Sequence, residues 1–355
     1  MSYTLTIEPI AQTVEVDDDQ TILDACLRAG IWLPHACCHG LCATCKVQVI
    51  AGEVEHGDAS PFALMEFERE EGKTLACCAT LQSDATIEAD IDDDPDALGL
   101  PVQDHAGEVT AIEQASPTVK IIRLRLDAPM RFQAGQYVNV VIPGLGERRA
   151  FSIANPPSRP DELEMHVRHV PGGAGTTALH EKLAVGDRLN FAGPYGRFFV
   201  KRSAHERERL PLLFVAGGSG LSSPLCMIQD LFDQGCTLPI TLVYGQRNRA
   251  ELYHHALLER LAELHPNFEY LPALSDEPAD SGWNGARGFA HEVAREHFRN
   301  DFSGRKAYLC GPPAMIDACL STLMQGRLYE RDIHTEKFLS AADAQRTRSP
   351  LFRSV

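Results

Sequence analysis

The chain has no long hydrophobic run. None of its 355 residues lies in an apolar stretch near the roughly 18 residues of a membrane-spanning helix, and the longest stretch, at 212–216, suits a buried strand. The start of the sequence, residues 1–4, lacks the basic segment and apolar core of a secretory signal. We also find no internal repeat and no low-complexity tract. We therefore expect a folded cytoplasmic protein.

Basic residues are scarce in the first part of the chain. Residues 1–104 carry 21 acidic and 4 basic side chains, a net charge of −17, whereas the remainder has a net charge of +1. So acidic a chain is not expected to bind nucleic acid. Two interpretations of the acidic segment stay open: a solvated surface, or a docking face whose field speeds the encounter with a basic partner.

Length and composition predict two or three folded domains. Domains of about 100 to 200 residues would divide the chain in this way, and a hydrophobic content of 44% is ordinary for a globular protein. Eleven cysteines without a secretory signal are typical of metal binding in a reducing compartment, not of a disulfide scaffold.

The cysteines near the start have the spacing of a plant-type 2Fe-2S cluster. Cys37, Cys42 and Cys45 follow the Cys-x4-Cys-x2-Cys pattern, and Cys77 lies about thirty residues further on. The loop carries Gly40, which lets backbone amides approach the sulfurs. A zinc ribbon is less favoured because it needs two Cys-x2-Cys hooks, and only one is present.

Two of these positions have a neighbouring cysteine that could replace them. Cys38 would leave only three residues before Cys42, so the spacing favours Cys37. The residues alone do not decide between Cys77 and Cys78.

Hydrophobic periodicity predicts a multidomain α+β and α/β protein. Residues 1–98 are expected to form a β-grasp domain, with strands at 3–7, 14–16, 46–50 and 86–91 and a helix from about 19 to Gly30. An acidic linker broken by Pro95 runs to about 103. Residues 103–204 are predicted to form an antiparallel barrel, with strands at 119–126, 137–142, 162–169 and 188–192. Residues 208–355 predict a doubly wound parallel sheet, with strands at 212–216, 240–244 and 307–310 and helices at 224–234 and 250–265.

Three motifs carry chemistry, although each alone also fits an ordinary structural role. The turn 217–220, Gly-Gly-Ser-Gly, lies between a strand and a helix and can present backbone amides to a pyrophosphate, but Ser223 replaces the third glycine of the full fingerprint. The segment 310–313, Cys-Gly-Pro-Pro, ends another strand at the edge where α/β sheets bind ligands. The segment 149–152, Arg-Ala-Phe-Ser, offers a guanidinium to phosphate, an aromatic ring to a flat heterocycle and a hydroxyl to a ring nitrogen.

Together and in this order, the three motifs resemble the ferredoxin–NADP reductase superfamily of FAD enzymes. With the cysteine segment in front, the whole chain resembles the reductase components of bacterial multicomponent aromatic oxygenases, especially those of phenol hydroxylases. The segments 42–46, 60–65 and 324–328 share in this likeness.

The resemblance implies a role for each motif residue. The cluster ligands would be Cys37, Cys42, Cys45 and Cys77. The FAD pocket would be formed by Arg149 at the pyrophosphate, Ala150, Phe151 along the flavin, Ser152 near its reactive nitrogen, His166, Val167, Arg168, and the turn from Gly173 to Thr176. The nicotinamide dinucleotide would contact Gly217, Gly218, Ser219, Gly220, Cys310, Gly311 and Pro312.

Three further residues are assigned by the same resemblance. Glu336 and Phe338 match the family's C-terminal Glu-x-x-aromatic region loosely, with one intervening residue, and Phe338 would shield the flavin. Ser152, Cys310 and Phe338 are thus the predicted catalytic residues. Arg247 follows the second strand of the sheet, where an acidic residue marks NAD and an arginine can contact a 2′-phosphate. The resemblance nevertheless favours NADH.

The implied activity is electron transfer from NADH through FAD and a 2Fe-2S cluster to an oxygenase component that docks on the acidic domain. A ring-hydroxylating dioxygenase or another hydrocarbon monooxygenase is the alternative partner. A di-iron oxygenase would need paired Glu-x-x-His motifs on bundle helices. The chain has Glu53-x-x-His56 and Glu251-x-x-His254, but the first lies in a turn between Gly52 and Gly57, so no paired site is expected. A flavin-free iron–sulfur sensor would not need both dinucleotide pockets.

The chain also continues beyond the point where the family usually ends. Residues 339–355 contain Arg346, Arg348 and Arg353. They are predicted to form either a disordered tail or a basic strap on the acidic domain. A strap would speed electron transfer to the cluster, and deletion of residues 341–355 would then slow it.

Overall fold

A computed structural model describes residues 2–91 and 94–338, apart from the side chains of residues 204 and 205. The chain divides after Gln103 into two compact units. None of the helices within the described ranges is long and apolar enough to cross a membrane. The predicted tail and its arginines lie outside the described residues.

The first unit contains a five-stranded mixed sheet with the order β2-β1-β7-β3-β5. Its alternating strands bury one face, including Leu5 and Ile7. Helix α1 begins after Thr21, whose hydroxyl accepts the N–H of Asp24 at 3.3 Å. The elements are β1 (Ser2–Glu8), β2 (Gln12–Asp17), α1 (Ile22–Arg28), β3 (Lys46–Ala51), β4 (Val54–Glu55), α2 (Glu66–Glu70), β5 (Lys73–Leu75), β6 (Thr80–Leu81) and β7 (Ala85–Glu88).

Two predictions for the first unit need correction. The strand predicted at 86–91 is β7, which ends at Glu88. The segment predicted as a linker packs on the first unit, because the N–H of Val102 donates to the carbonyl of Leu27 at 3.0 Å and Val102 is buried. Its backbone and side chain are therefore held by the unit that precedes it.

The second unit begins with a six-stranded sheet of order β11-β10-β13-β8-β9-β12, whose end strands β11 and β12 contact each other to form a barrel. The pairs β8–β9, β9–β12, β10–β11 and β10–β13 are antiparallel, as predicted. The elements are β8 (Gln103–Gln114), β9 (Val119–Leu126), β10 (Tyr137–Val141), β11 (Arg148–Ser152), β12 (Glu162–Arg168), α3 (Ala174–Glu181) and β13 (Arg188–Tyr195).

The same unit continues into a parallel sheet of order β17-β16-β15-β14-β18-β19. The adjacent strands β14 and β18 place the glycine turn and the Cys310 segment side by side at their carboxyl ends. The elements are α4 (Arg202–Glu208), β14 (Leu212–Gly217), α5 (Ser222–Asp233), β15 (Ile240–Gln246), α6 (His255–Leu264), β16 (Phe268–Leu274), β17 (Ala286–Arg287), α7 (Ala290–His297), β18 (Lys306–Gly311), α8 (Pro313–Gln325) and β19 (Ile333–Lys337).

The helix predicted at 250–265 is shorter than expected. A single 3-10 turn occupies Arg249–Glu251, and α6 begins only at His255. The cause is His254, whose φ of 57° is left-handed and interrupts the helical path. This interruption turns the side chain of His254 toward the barrel.

Candidate functional site

The four predicted cluster ligands converge in the first unit. The thiols of Cys37 and Cys42 interact with each other, and so do those of Cys45 and Cys77. The sulfur of Cys37 also accepts two backbone N–H groups of the following loop, each at 3.4 Å. Amides aimed at a sulfur stabilise a thiolate bound to iron, so this loop fits a cluster.

The two neighbouring cysteines lie close to the predicted ligands, and the sulfur of Cys78 is 3.6 Å from that of Cys77. The thiol of Cys38 lies toward the carbonyl of Ala36, at 4.0 Å. The sulfur of Cys78 packs against Gly40, where a Cβ atom would lie only 2.8 Å from it. Gly40 also has a φ of 69°, so both its conformation and this contact require glycine.

The Arg-Ala-Phe-Ser motif forms β11, at the edge of the barrel. The guanidinium of Arg149 pairs with Glu147, and its side chain stays 49% exposed. The first turn of α3 lies beside it, since a Cβ atom on Gly175 would come within 3.2 Å of Arg149 Cγ. An accessible guanidinium next to a helix N-terminus fits a diphosphate group.

A side chain in the first turn of α3 holds the turn that precedes this helix. Thr176 Oγ1 accepts the N–H of Val170 at 3.1 Å, and the chain enters α3 through Gly173. The predicted segment from Gly173 to Thr176 therefore forms the N-terminus of α3 and lies on the same side of the barrel as Arg149.

The carboxyl group of Glu336 joins the barrel to the parallel sheet. Its Oε2 accepts hydrogen bonds from Ser223 Oγ at 2.8 Å, Ser152 Oγ at 3.3 Å and Cys310 Sγ at 3.5 Å. These donors come from α5, β11 and β18. The structure thus brings two motifs and the C-terminal acidic residue into one polar centre.

Burial sets the protonation of this centre. Burial raises the pKa of Glu336 above its ordinary value, and the hydrogen bonds from Ser223, Cys310 and Ser152 offset this only in part. Burial, reinforced by the nearby Glu336, also raises the pKa of Cys310 well above its usual value. Cys310 therefore stays a thiol, and Glu336 is biased toward a carboxyl group that holds a proton.

The glycine turn and the Cys310 segment interlock. A Cβ atom on Gly220 would lie 2.5 Å from the carbonyl oxygen of Cys310, and one on Gly217 would lie 2.3 Å from Met315 Sδ. Gly218 has a φ of 59°, in the left-handed region. The close fit of the two segments therefore needs these glycines. Gly217 ends β14, and Gly218 and Gly220 lie in the 3-10 turn that follows (Gly218–Leu221), which includes the buried Ser219.

The three predicted flavin residues of β12 have different environments. Val167 is part of the barrel core, and the side chain of His166 is fully buried. Arg168 alone reaches the glycine turn, since its Nη1 would lie 3.1 Å from a Cβ atom on Gly218. Strand β12 thus supplies a cation next to the glycine turn.

The end of β19 is tied to the Cys310 segment. The N–H of Phe338 donates to the carbonyl of Gly311 at 3.0 Å, and both Phe338 and Phe151 are partly buried against the large core. Pro312 precedes α8 as its N-terminal cap residue. Phe338 is thereby placed next to the segment that carries Cys310.

Three family models together match most of the chain. They describe a 2Fe-2S iron-sulfur cluster binding domain at residues 5–82, an oxidoreductase FAD-binding domain at 106–200 and an oxidoreductase NAD-binding domain at 214–321. The chain is 58% identical to "Phenol 2-monooxygenase, reductase component DmpP" of Pseudomonas sp. (strain CF600), over 100% of both chains. It belongs to the family of phenol monooxygenase reductase components. The predicted oxidoreductase class, its three cofactors and the three-part fold are thereby confirmed.

Two further proteins support this family assignment. The "Phenol hydroxylase P5 protein" of Acinetobacter pittii (strain PHEA-2) is 56% identical, again over 100% of both chains. Among solved structures, the cytochrome P450 reductase GcoB of Amycolatopsis is 34% identical, with a TM-score of 0.84 over 96% of this chain and 99% of that one. The barrel and the parallel sheet therefore follow the architecture of this reductase family.

Sequence reasoning missed the role of Ser223. It noted this residue only as a substitute for a fingerprint glycine, whereas its hydroxyl makes the shortest hydrogen bond to Glu336. Its place at the start of a helix was the only available signal. Arg247 lies exposed just after β15, and the N–H of Asp276 donates to its carbonyl at 2.6 Å.

Proposed function

We propose that this chain is the reductase component of a multicomponent, phenol-type monooxygenase, and that it carries electrons from NADH through FAD and a 2Fe-2S cluster to the oxygenase component. The observation that carries the proposal is the carboxyl group of Glu336, which connects Ser152 of the barrel with Ser223 and Cys310 of the parallel sheet. Full-length likeness to two reductase components of phenol-oxidising systems supports the choice of partner.

Cys37, Cys42, Cys45 and Cys77 would hold the cluster, which when bound supplies a one-electron carrier. The pairing of their thiols and the two amides donated to Cys37 support this ligand set. The amides lower the negative charge felt at the sulfur, which tunes the potential of a bound cluster.

Arg149 and the first turn of α3 would hold the FAD diphosphate, and Phe151 would lie along the ring system. Bound FAD would accept two electrons at once from the donor and release them one at a time. Ser152 would then orient its hydroxyl between this ring and Glu336, whose raised pKa favours the protonated carboxyl group. Phe338 would exclude water from the ring face.

The nicotinamide dinucleotide would lie over the turn 217–220 with Cys310 at its reactive ring. The close fit of Gly220 against the Cys310 carbonyl supports this placement, because it brings the glycine turn and the Cys310 segment together at the edge where α/β sheets bind ligands. Arg168 supplies a cation for the pyrophosphate. We propose NADH as the preferred donor and Arg247 as the contact for a 2′-phosphate when NADPH binds.

The oxygenase component would dock beside the cluster, on an apolar patch formed by exposed side chains of the first unit. Their exposed fractions are 41%, 81%, 48% and 54% for Leu41, Phe62, Met65 and Phe67. The patch continues into the cluster loop, because the N–H of Ser60 donates to the carbonyl of Gly40 at 3.0 Å. Carboxylates of α2 border it, which favours a partner that offers apolar and basic side chains. We place this electron transfer in the cytoplasm.

Reconstitution tests the proposal. The purified protein with FAD and cluster would be mixed with the oxygenase component of a phenol monooxygenase, and phenol hydroxylated per NADH consumed would be measured. Coupled turnover is expected. Reduction of cytochrome c by NADH without any phenol turnover would instead favour the reductase of a different oxygenase.

A further inference from the structure

Three potential metal ligands meet between the barrel and the parallel sheet, outside the centre around Glu336. They are Glu164, His166 and His254, and their ligand atoms all lie within 4.8 Å of one another. Glu164 and His166 are buried, and His254 is half-buried. Two imidazoles and one carboxylate with a free coordination position form a donor set that zinc uses in proteins.

One nitrogen of the His254 imidazole lacks a hydrogen-bond partner among the residues that the structure describes. Its Nε2 is excluded from solvent and makes no hydrogen bond to any residue in the described part of the chain. Its backbone also adopts a φ of 57°, an uncommon conformation for a residue other than glycine, and one that is often associated with function. A strained backbone that directs an unsatisfied nitrogen toward two other ligands indicates a binding role.

The carboxylate of Glu164 is already oriented for a ligand. Arg123 Nε holds one oxygen, Oε2, at 2.6 Å, and the other oxygen, Oε1, lies 3.2 Å from His166 Nε2. A second residue that fixes a ligating carboxylate is the usual support of a metal site. Because Oε1 and His166 Nε2 lie within hydrogen-bonding distance of each other, an ion would replace the proton between them.

We propose that Glu164, His166 and His254 bind a divalent cation of the zinc type, with a fourth position open to water. Three atoms spaced in this way place an equidistant ion about 2.5 Å from each, so side-chain shifts of about 0.5 Å would reach the bond lengths of zinc. The cation would bridge β12 of the barrel to the loop before α6 of the parallel sheet.

The effect of cation binding would reach the glycine turn (residues 217–220) through Tyr253. Its hydroxyl lies 3.2 Å from His166 Nδ1 and 3.4 Å from the carbonyl oxygen of Gly218. A cation on Nε2 requires the proton of His166 to sit on Nδ1, which then donates to Tyr253. The Tyr253 hydroxyl can then donate only onward, to the carbonyl of Gly218 or to the Tyr244 hydroxyl, so the cation would restrict the arrangements of the turn.

This second step rests on the proposed function, because it concerns the turn that would bind NADH. A turn restricted in this way, together with a bridge between barrel and sheet, would oppose the adjustments that nucleotide entry requires. Zinc is therefore expected to inhibit reduction by NADH reversibly, with EDTA restoring the rate.

The binding test uses the complete protein with FAD and cluster, and isothermal titration with ZnCl2. Cobalt absorption provides a second readout, and the visible spectrum of the cluster verifies that no cysteine is released. His254→Asn removes the imidazole while keeping a residue that tolerates positive φ. The dissociation constant is expected to rise at least tenfold in this variant and to stay unchanged in His255→Asn, the matched control one residue on.

Three outcomes decide the proposal. Unchanged zinc affinity in both His254→Asn and Glu164→Gln, or no saturable binding below millimolar zinc, would overturn the site. Two results together would support the site but overturn the coupling through Tyr253. Zinc binding would be lost in His254→Asn, and zinc would leave NADH-dependent ferricyanide reduction unchanged. Because calorimetry needs neither NADH nor an oxygenase, a failure of the proposed function leaves the binding result intact.

Discussion

Ser223 and Glu336 are joined by a hydrogen bond of 2.8 Å from the serine hydroxyl to the glutamate carboxyl group. They are separated by 113 positions in the chain and belong to α5 and the last strand, β19. The parallel pairing of β18 with β19 brings them together, since it sets Glu336 directly beside Cys310. The fold thus places a carboxyl group with a raised pKa at the carboxyl edge of the sheet, next to a strand of the barrel.

The variant Glu336→Gln is expected to slow reduction of the bound flavin by NADH about 100-fold, the typical size of a single acid–base contribution. The amide keeps the size of the side chain but cannot hold a titrating proton. Stopped-flow absorbance of the flavin measures the rate. Glu330→Gln, an exposed position just before β19, is the matched control and should react like the wild type.

The pH profile gives this variant a second readout. The raised pKa of Glu336 means that its protonated form is present below that pKa and is lost as pH rises through it. The wild-type rate should therefore fall on the alkaline side of this transition, while that of Glu336→Gln stays flat. A profile with the same transition in both proteins would assign the proton to another group.

The variant Gly220→Ala is expected to lower stability by about 1–3 kcal/mol, as overpacking typically does, and to weaken NADH binding. The added Cβ atom would lie 2.5 Å from the carbonyl oxygen of Cys310, a backbone atom that cannot move without displacing β18. Urea unfolding and NADH titration measure the two effects. Gly235→Ala, with no atom within 4 Å of the added carbon, should carry only backbone strain of about 1 kcal/mol.

Much of the fold follows from local patterns. The alternation in 3–7 and the continuous apolar run at 212–216 predict β1 and β14. A strand buried on one face alternates apolar and polar residues, and a strand buried on both faces is apolar throughout. The late start of α6 could not be predicted in the same way. Residues 250–254 have ordinary helix-forming composition, and only tertiary contacts of His254 explain the left-handed residue.

The site was predictable where its residues form motifs. The three motifs lie together as expected, but Ser223 and the cluster of Glu164, His166 and His254 depend on strand order and domain packing. The motif Glu251-x-x-His254 shows the limit. Glu251 accepts hydrogen bonds from Ser116 and Thr118 at 2.7 Å each, whereas His254 lies with Glu164 and His166, so the two residues of this motif have different partners.

Four serine variants test the cluster ligands. Cys37→Ser and Cys77→Ser are expected to lose the cluster, because each removes one of the paired thiols. Cys38→Ser and Cys78→Ser, their adjacent controls, should retain it. Iron and sulfide content and the visible absorption of the purified proteins measure this. Loss of the cluster in Cys78→Ser with retention in Cys77→Ser would exchange the two assignments.

The variants Phe62→Ala and Phe67→Ala test the apolar patch. Buried aromatic residues contribute strongly to protein interfaces, so each is expected to raise the concentration of oxygenase needed for half-maximal phenol turnover about tenfold. Reduction of ferricyanide by NADH should be unchanged, because neither side chain belongs to the cofactor sites. Ile50→Ala is the matched control, since this side chain is 56% exposed on β3 of the same unit. An equal loss in Ile50→Ala would show that the whole surface of the first unit, and not this patch, determines docking.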